Sequence, residues 1–87
     1  MPQQRVALVA KVECRSESRG EERPIALTLG GERITVAVIL ERSFVAAAAA
    51  GEPVRARFTV ELEDGSRVLL ERSLPAGDWR VWRIDTP

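Results

Sequence analysis

The chain has 87 residues, a length that suits one small domain over residues 1–87. Its 13 basic and 13 acidic side chains give a formal net charge of zero, which argues against a global attraction to nucleic acid or to an anionic membrane. With no histidine and one cysteine, the chain cannot form an internal disulfide, and zinc binding and serine hydrolysis lack their usual ligands and base.

We therefore expect a protein that is not an enzyme, with no catalytic, cofactor-binding or metal-binding residues and no cofactor. The first twelve residues, MPQQRVALVAKV, are too few and too alternating for a signal peptide or a membrane span. A small domain without a disulfide also suits a reducing compartment. These features predict a soluble cytoplasmic protein that makes no membrane contact.

The first predicted element is a strand over residues 5–15. Apolar residues recur at every second position there, which is typical of a strand with one buried face. Cys14 falls on that face. Because a thiol nucleophile needs a base or a cation to lower its pKa, and the chain has no histidine, we interpret Cys14 as a small buried hydrophobe. The polar residues 16–24 that follow predict a solvated loop.

A hairpin is predicted around Gly30 and Gly31. Two consecutive glycines suit a two-residue type I′ or II′ turn, whereas their spacing does not match a phosphate-binding loop. The turn predicts four cross-strand pairs, which are Leu27–Ile34, Ile25–Val36, Thr28–Arg33 and Ala26–Thr35. Beyond Val36 the second strand is apolar on both faces as far as Leu40, so we expect it to be covered on both sides.

Residues 43–50 contain Phe44, Val45 and five alanines, and two interpretations fit them. Alanine favours a short helix, which Ser43 would cap and Gly51 would end, but fewer than ten residues make only a marginal helix. The alternative is an irregular connector. In both cases the segment is apolar and uncharged, which predicts contact with a partner or with a second copy of the chain.

The clearest element is a hairpin over residues 57–74 that turns at Glu63, Asp64 and Gly65. A three-residue loop favours glycine in its last, left-handed position, and this choice sets Leu62 opposite Ser66. The pairs that follow match apolar with apolar and acid with base. They are Glu61–Arg67, Val60–Val68, Thr59–Leu69, Phe58–Leu70 and Arg57–Glu71. A shift by one residue would put buried positions opposite charges.

The last predicted strand covers residues 79–84, and two registers fit it. A four-residue loop pairs Leu69 with Trp82 on the outer face, whereas a five-residue loop pairs Leu70 with Trp82 and buries the indole. Both tryptophans are interpreted either as packing residues or as part of a stacking or partner-binding surface. The candidate interaction residues are Phe44, Val45, Leu69, Trp79, Arg80, Trp82 and Arg83.

Together these elements predict an all-β fold, either a small barrel or a strongly curved antiparallel meander of about six strands, with at most one short alanine-rich helix. Two functions fit such a fold. The first is a non-catalytic protein-interaction or self-association module, with a protein partner or a homodimer. The second is a small β-barrel that binds nucleic acid through arginines and an indole.

Residues 23–42 and 57–85 resemble an uncharacterised bacterial family of small β domains. Its members tend to place tryptophan directly after the arginine that matches Arg42, where this chain has Ser43 and Phe44. Some members stand alone and others lie at the tail of proteins related to Y-family DNA polymerases. The resemblance implies an accessory role near DNA repair and defines no catalytic residues. The matching positions are Gly31, Val38, Leu40, Arg42, Val60, Asp64, Gly65, Gly77 and Trp79.

Overall fold

The computed structural model describes residues 4–16, 22–45, 50–51, 54–74 and 77–85, and these form seven strands and no helix. All neighbouring strands are antiparallel, in the order β1-β7-β6-β5-β4-β3-β2. The all-β prediction is confirmed. The strands are β1 (Gln4–Leu8), β2 (Ala10–Ser16), β3 (Glu22–Leu29), β4 (Glu32–Val45), β5 (Arg55–Leu62), β6 (Arg67–Ser73) and β7 (Trp79–Asp85).

The single strand predicted for residues 5–15 is interrupted at Val9, which is 97% exposed. On one side of this break Leu8 lies opposite Val81 of β7, and on the other side Ala10 lies opposite Leu29 of β3. The strands β1 and β2 are therefore joined by one residue although they lie at opposite ends of the strand order. Because of this connection the sheet curls into a half-barrel, in which β2 also contacts β7.

The predicted hairpin between β5 and β6 is confirmed pair by pair. Leu62 donates its N–H to the carbonyl of Ser66 at 2.8 Å, and the register continues from Glu61–Arg67 to Arg57–Glu71 as expected. Gly65 has a φ of +89°, the left-handed conformation for which glycine is suited. The glycine of the turn and the apolar and charged pairs of the two strands thus favour the same register.

The Gly-Gly hairpin is confirmed over its first part. Gly30 and Gly31 have φ values of +54° and +84°, as a type I′ turn requires, and Leu27 lies opposite Ile34. The predicted pair Ile25–Val36 does not form, because the pairing of β3 with β4 ends at Ala26 and Thr35.

Both interpretations of residues 43–50, a short helix capped by Ser43 and an irregular connector, are wrong for residues 43–45. The strand β4 continues to Val45, and its last residues pair with β5, where Phe44 lies opposite Ala56. Pairing along β5 supplies backbone hydrogen bonds that a helix of fewer than ten residues could not match. The prediction for the alanines 46–49 lies outside the described residues.

The register of β7 is the one that a four-residue loop produces, with Trp82 opposite Leu69. Gly77 donates its N–H to the carbonyl of Ser73 at 2.6 Å, and a Cβ at position 77 would lie 2.7 Å from atoms of Ser73, so the loop needs glycine there. The alternative register would also have set Arg72 opposite Arg80, two like charges. Trp82 is half-buried.

One face of the curled sheet, here called the inner face, encloses the core. Its buried side chains come from β3, β5, β6 and β7, and the partly buried Trp79 and Ile39 pack against them. Leu69 and Glu71 are also buried, but they lie on the opposite side of β6, the outer face. The core residues are Leu27, Ala56, Phe58, Val60, Leu62, Val68, Leu70 and Val81.

We predict that Leu70→Ala lowers the free energy of unfolding by about 2 to 5 kcal/mol, because Leu70 is fully buried and its truncation leaves a cavity in the core. Urea denaturation followed by circular dichroism measures the change. Val9→Ala, at the exposed break, is the matched control and is expected to change stability by less than about 1 kcal/mol. Equal losses in the two variants would contradict the assignment of the core.

Candidate functional site

The strands β3 and β4 pair over only a short distance. After the pair of Ala26 with Thr35, the neighbour of β4 becomes β5, which it follows over residues 36–45. Register shifts at residues 36–38 and 39–41 mark two bulges in β4. A bulge bends its strand and increases the local twist, so β4 turns away from β3 where the first bulge begins.

The start of β3 is held over the inner face by an ion pair with β6. Glu22 Oε2 lies 2.7 Å from Arg72 Nη1, and the Arg72 guanidinium lies 5.3 Å from the centroid of the Trp79 ring. Trp79 in turn contacts Phe58, with 5.9 Å between the ring centroids. Pro24, which has no N–H for a ladder, is buried in the same part of β3. These contacts connect the start of β3 to β6 at the level where β3 no longer pairs with β4.

The departure of β3 leaves residues 36–45 of β4 with β5 on one side and, within the described ranges, no strand on the other. We call this segment the β4 edge. Val38, Leu40 and Phe44 are 42%, 45% and 64% exposed there. An exposed strand edge presents backbone N–H and C=O groups to any strand that can pair with it. The β4 edge is therefore the first candidate site.

The side chains at the end of the β4 edge differ between the two faces of the sheet. Arg42 and Phe44 lie on the inner face, and the Arg42 guanidinium is 5.5 Å from the centroid of the Phe58 ring, a cation–π arrangement. Glu41 and Ser43 lie on the outer face. The edge thus offers an arginine and a phenylalanine on one face and a carboxylate and a hydroxyl on the other.

On the outer face, Glu71 is buried between two arginines of β5. Its Oε1 accepts a hydrogen bond from Arg55 Nη1 at 2.9 Å, and its Oε2 accepts bonds from Arg57 Nε and Nη2 at 3.0 and 2.7 Å. The side chain is 4% exposed. Burial raises the pKa of Glu71, but the hydrogen bonds and charges of Arg57 and Arg55 outweigh burial, so that its pKa lies below the ordinary value. Glu71 is therefore ionised at neutral pH.

The register places Arg80 opposite Glu71 and Trp82 opposite Leu69 on the same outer face. Arg80 is exposed, Trp82 is half-buried, and Leu69 is 3% exposed. Arg55 and Arg57 therefore bind a single carboxylate, and Arg80 lies opposite it in the next strand, on the same face as the indole. This arrangement concentrates positive charge locally on a chain whose net charge is zero.

The predicted interaction residues are thus divided among separate places. Leu69, Arg80 and Trp82 come together on the outer face, while Trp79 and Arg83 lie on the inner face in different rows. Phe44 and Val45 are neighbours at the end of β4 and point to opposite faces.

Several residues of both candidate surfaces were absent from the sequence-based set. Val38 and Leu40 belong to the β4 edge, and the run that is apolar on both faces was the signal that could have identified them. Arg55 and Arg57 belong to the outer face, and their alternation with buried residues of β5 was the corresponding signal. The pair of Arg57 with Glu71 was predicted from the hairpin register, whereas the side-chain hydrogen bonds show that Arg55 shares the same carboxylate.

Cys14 is half-buried at the end of β2, opposite Pro24. Burial raises the pKa of its thiol, Glu22 raises it further, and Arg72 opposes this effect. The thiolate is therefore disfavoured at neutral pH, in agreement with its interpretation as a packing residue, although burial is only partial.

Within the described ranges, no three acidic or cysteine side chains come together as metal ligands would. That same part of the chain contains no helix of the length and apolarity needed to cross a membrane. Comparisons of the chain with protein-family models, with curated proteins and with solved structures found no match. The resemblance to a bacterial family of small β domains stays a prediction.

We predict that Glu71→Gln lowers the free energy of unfolding at pH 7 by about 1 to 3 kcal/mol, because it removes charged hydrogen bonds to Arg55 and Arg57. Since the pKa of Glu71 is lower in the folded state, its contribution is present above the unfolded pKa, about 4.3, and is lost as the pH falls through the folded pKa. The difference between the variant and the original protein should therefore shrink in acid. Urea denaturation at several pH values measures it.

The matched control is Glu13→Gln, which removes the ion pair of Glu13 with Arg33. Those side chains are 52% and 53% exposed, so the expected loss is less than about 1 kcal/mol. An effect of Glu71→Gln no larger than that of Glu13→Gln, or one that does not change with pH, would show that the buried pair does not stabilise the fold as described.

Proposed function

We propose that the protein is a non-catalytic self-association module in which the β4 edge pairs with the β4 edge of a second copy. The observation that carries this proposal is the length of the β4 edge, residues 36–45, which has β5 on one side and no strand on the other within the described ranges, together with the exposed side chains of Val38, Leu40 and Phe44. Addition of a strand would satisfy the backbone groups of the edge and cover these apolar side chains. A location in the cytoplasm stays part of the proposal.

The β4 edge has few of the features that normally prevent such pairing. Natural edge strands are protected by lysine, by proline, by bulges, by charge or by very short length. The β4 edge has two bulges, at residues 36–38 and 39–41, and residues 41–45 follow them in regular pairing with β5. Residues 36–45 contain neither lysine nor proline, and their only charges are Glu41 and Arg42. Two identical β4 edges can pair with each other about a two-fold axis without a different partner protein. Such a dimer buries the Phe44 side chains of both copies.

We predict that Phe44→Lys shifts the protein from dimer toward monomer, as measured by size-exclusion chromatography with light scattering over a range of concentrations. Aromatic anchors at interfaces often contribute more than about 1 kcal/mol each, and each dimer would lose two of them. The dissociation constant is therefore expected to rise by more than about tenfold. Phe44 is 64% exposed, so the fold of each copy should be preserved.

Val9→Lys is the matched control, because Val9 is even more exposed but lies at the break between β1 and β2. It is expected to leave the dissociation constant unchanged. A protein that stays monomeric at high concentration before any substitution would refute self-association. Equal weakening by the two lysines would point to a general effect of charge instead of the β4 edge.

We propose nucleic-acid binding as a second function, on the separate observation that Arg55, Arg57 and Arg80 lie on the same outer face as Trp82. Single-stranded nucleic acid is bound by arginines that contact phosphates and by aromatic rings on which bases stack. The resemblance to a family that includes tails of proteins related to Y-family DNA polymerases would give this function a context in DNA repair. The neutral net charge makes it the weaker proposal.

For this second function we expect single-stranded oligonucleotides to quench tryptophan fluorescence at low salt, and salt to reverse the quenching because phosphate contacts release counterions. Trp82→Phe should abolish most of the quenching, whereas Trp79→Phe, on the inner face, should preserve it. Arg80→Ser should weaken binding. The absence of quenching at low salt would eliminate this candidate.

A further inference from the structure

In the proposed dimer, the faces and charges of the β4 edge determine which residues of the two β4 strands lie opposite each other. This inference rests on the proposed function. When two identical antiparallel strands pair about a two-fold axis, that axis is perpendicular to the sheet. The side chains of two directly opposed residues then lie on the same face of the sheet. One residue at the centre then lies opposite its own copy. Residues 41–45 follow the second bulge and alternate regularly between the faces, so the centre can be sought there.

Repulsion between like charges excludes two of the residues that could lie on the two-fold axis. A pair centred on Glu41 would set two carboxylates opposite each other, and a pair centred on Arg42 would set two guanidinium groups opposite each other. Centres at Phe44 or Val45 avoid this conflict. They place Glu41 beyond Val45 of the second copy, past the end of β4, and so give the carboxylate no described residue opposite it.

A centre at Ser43 gives complementary contacts on both faces. On the inner face Arg42 lies opposite Phe44 of the second copy, which adds a second aromatic ring beside the guanidinium already over Phe58. On the outer face Glu41 lies opposite Val45 of the second copy, whose other neighbour is Arg55. The carboxylate and Arg55, which also binds Glu71, are then two strand spacings apart, about 9.6 Å between backbones, a distance that two long side chains can span.

We therefore infer that two copies pair antiparallel through β4 with Ser43 on the two-fold axis. Their sheets would continue across the β4 edges. Each copy would contribute the same contacts twice, Arg42 with Phe44 on the inner face and Glu41 near Arg55 on the outer face. The occupant of the β4 edge is, on this inference, a second copy of this chain in one register.

Disulfide trapping tests this register directly. In a Cys14→Ser background, Ser43→Cys would bring two cysteines directly opposite each other, with Cα atoms about 4.5 to 5.5 Å apart, a separation that a disulfide spans. Under mild oxidation, most Ser43→Cys chains should become covalent dimers. Glu41→Cys is the matched control, because its two copies would lie four residues apart along the strands, roughly 13 Å, too far for a disulfide.

The outcomes separate the register from the function on which it rests. Efficient trapping at position 43 and none at position 41 supports the inference. Best trapping with Phe44→Cys or at another position of the β4 edge would overturn the Ser43 register and leave self-association through β4 standing. A dimer in light scattering without trapping anywhere on the β4 edge would overturn the inference. A monomer in light scattering would reject both the Ser43 register and self-association through the β4 edge.

Discussion

The departure of β3 from β4 after Ala26 and Thr35 produces both the closed and the open parts of this fold. At the start of β3, Glu22 forms an ion pair with Arg72 on the inner face, and the Arg72 guanidinium lies over the Trp79 ring. The departure of β3 removes the neighbour that residues 36–45 would have had in a regular hairpin. The start of β3 thus contacts β6 instead of β4, and the β4 edge is left exposed.

Two segments of the chain change their neighbouring strand along their length. The amino-terminal strand changes neighbours at Val9, and β4 changes neighbours at its first bulge, so each serves two parts of the sheet. A small domain that buries limited apolar area gains from such sharing, because one strand covers two sides of the core. The cost is an edge that the described residues do not cover, and a dimer would supply the missing strand.

The outer face shows how a chain of zero net charge can carry a local excess of positive charge. Glu71 is buried and binds Arg55 and Arg57, and Arg80 lies across the next strand pair. One carboxylate therefore binds two arginines, and the register places a third opposite it beside Trp82. The arrangement stabilises the sheet whether or not it contacts a nucleic acid, and for that reason the β4 edge provides the stronger functional proposal.

The sequence by itself determined the all-β class and the registers of two hairpins, because glycine at Gly30, Gly31 and Gly65 and alternation along the strands are local properties. It also identified Phe44 as a candidate contact residue. The tertiary structure alone decided that the amino-terminal strand breaks at Val9, that Ser43 continues a strand instead of capping a helix, and which of two registers places Trp82. The first two depend on competition between distant strands for the same backbone groups, which a local pattern does not contain. The register of Trp82 depends on the loop at Gly77, where two loop lengths fit the sequence equally well.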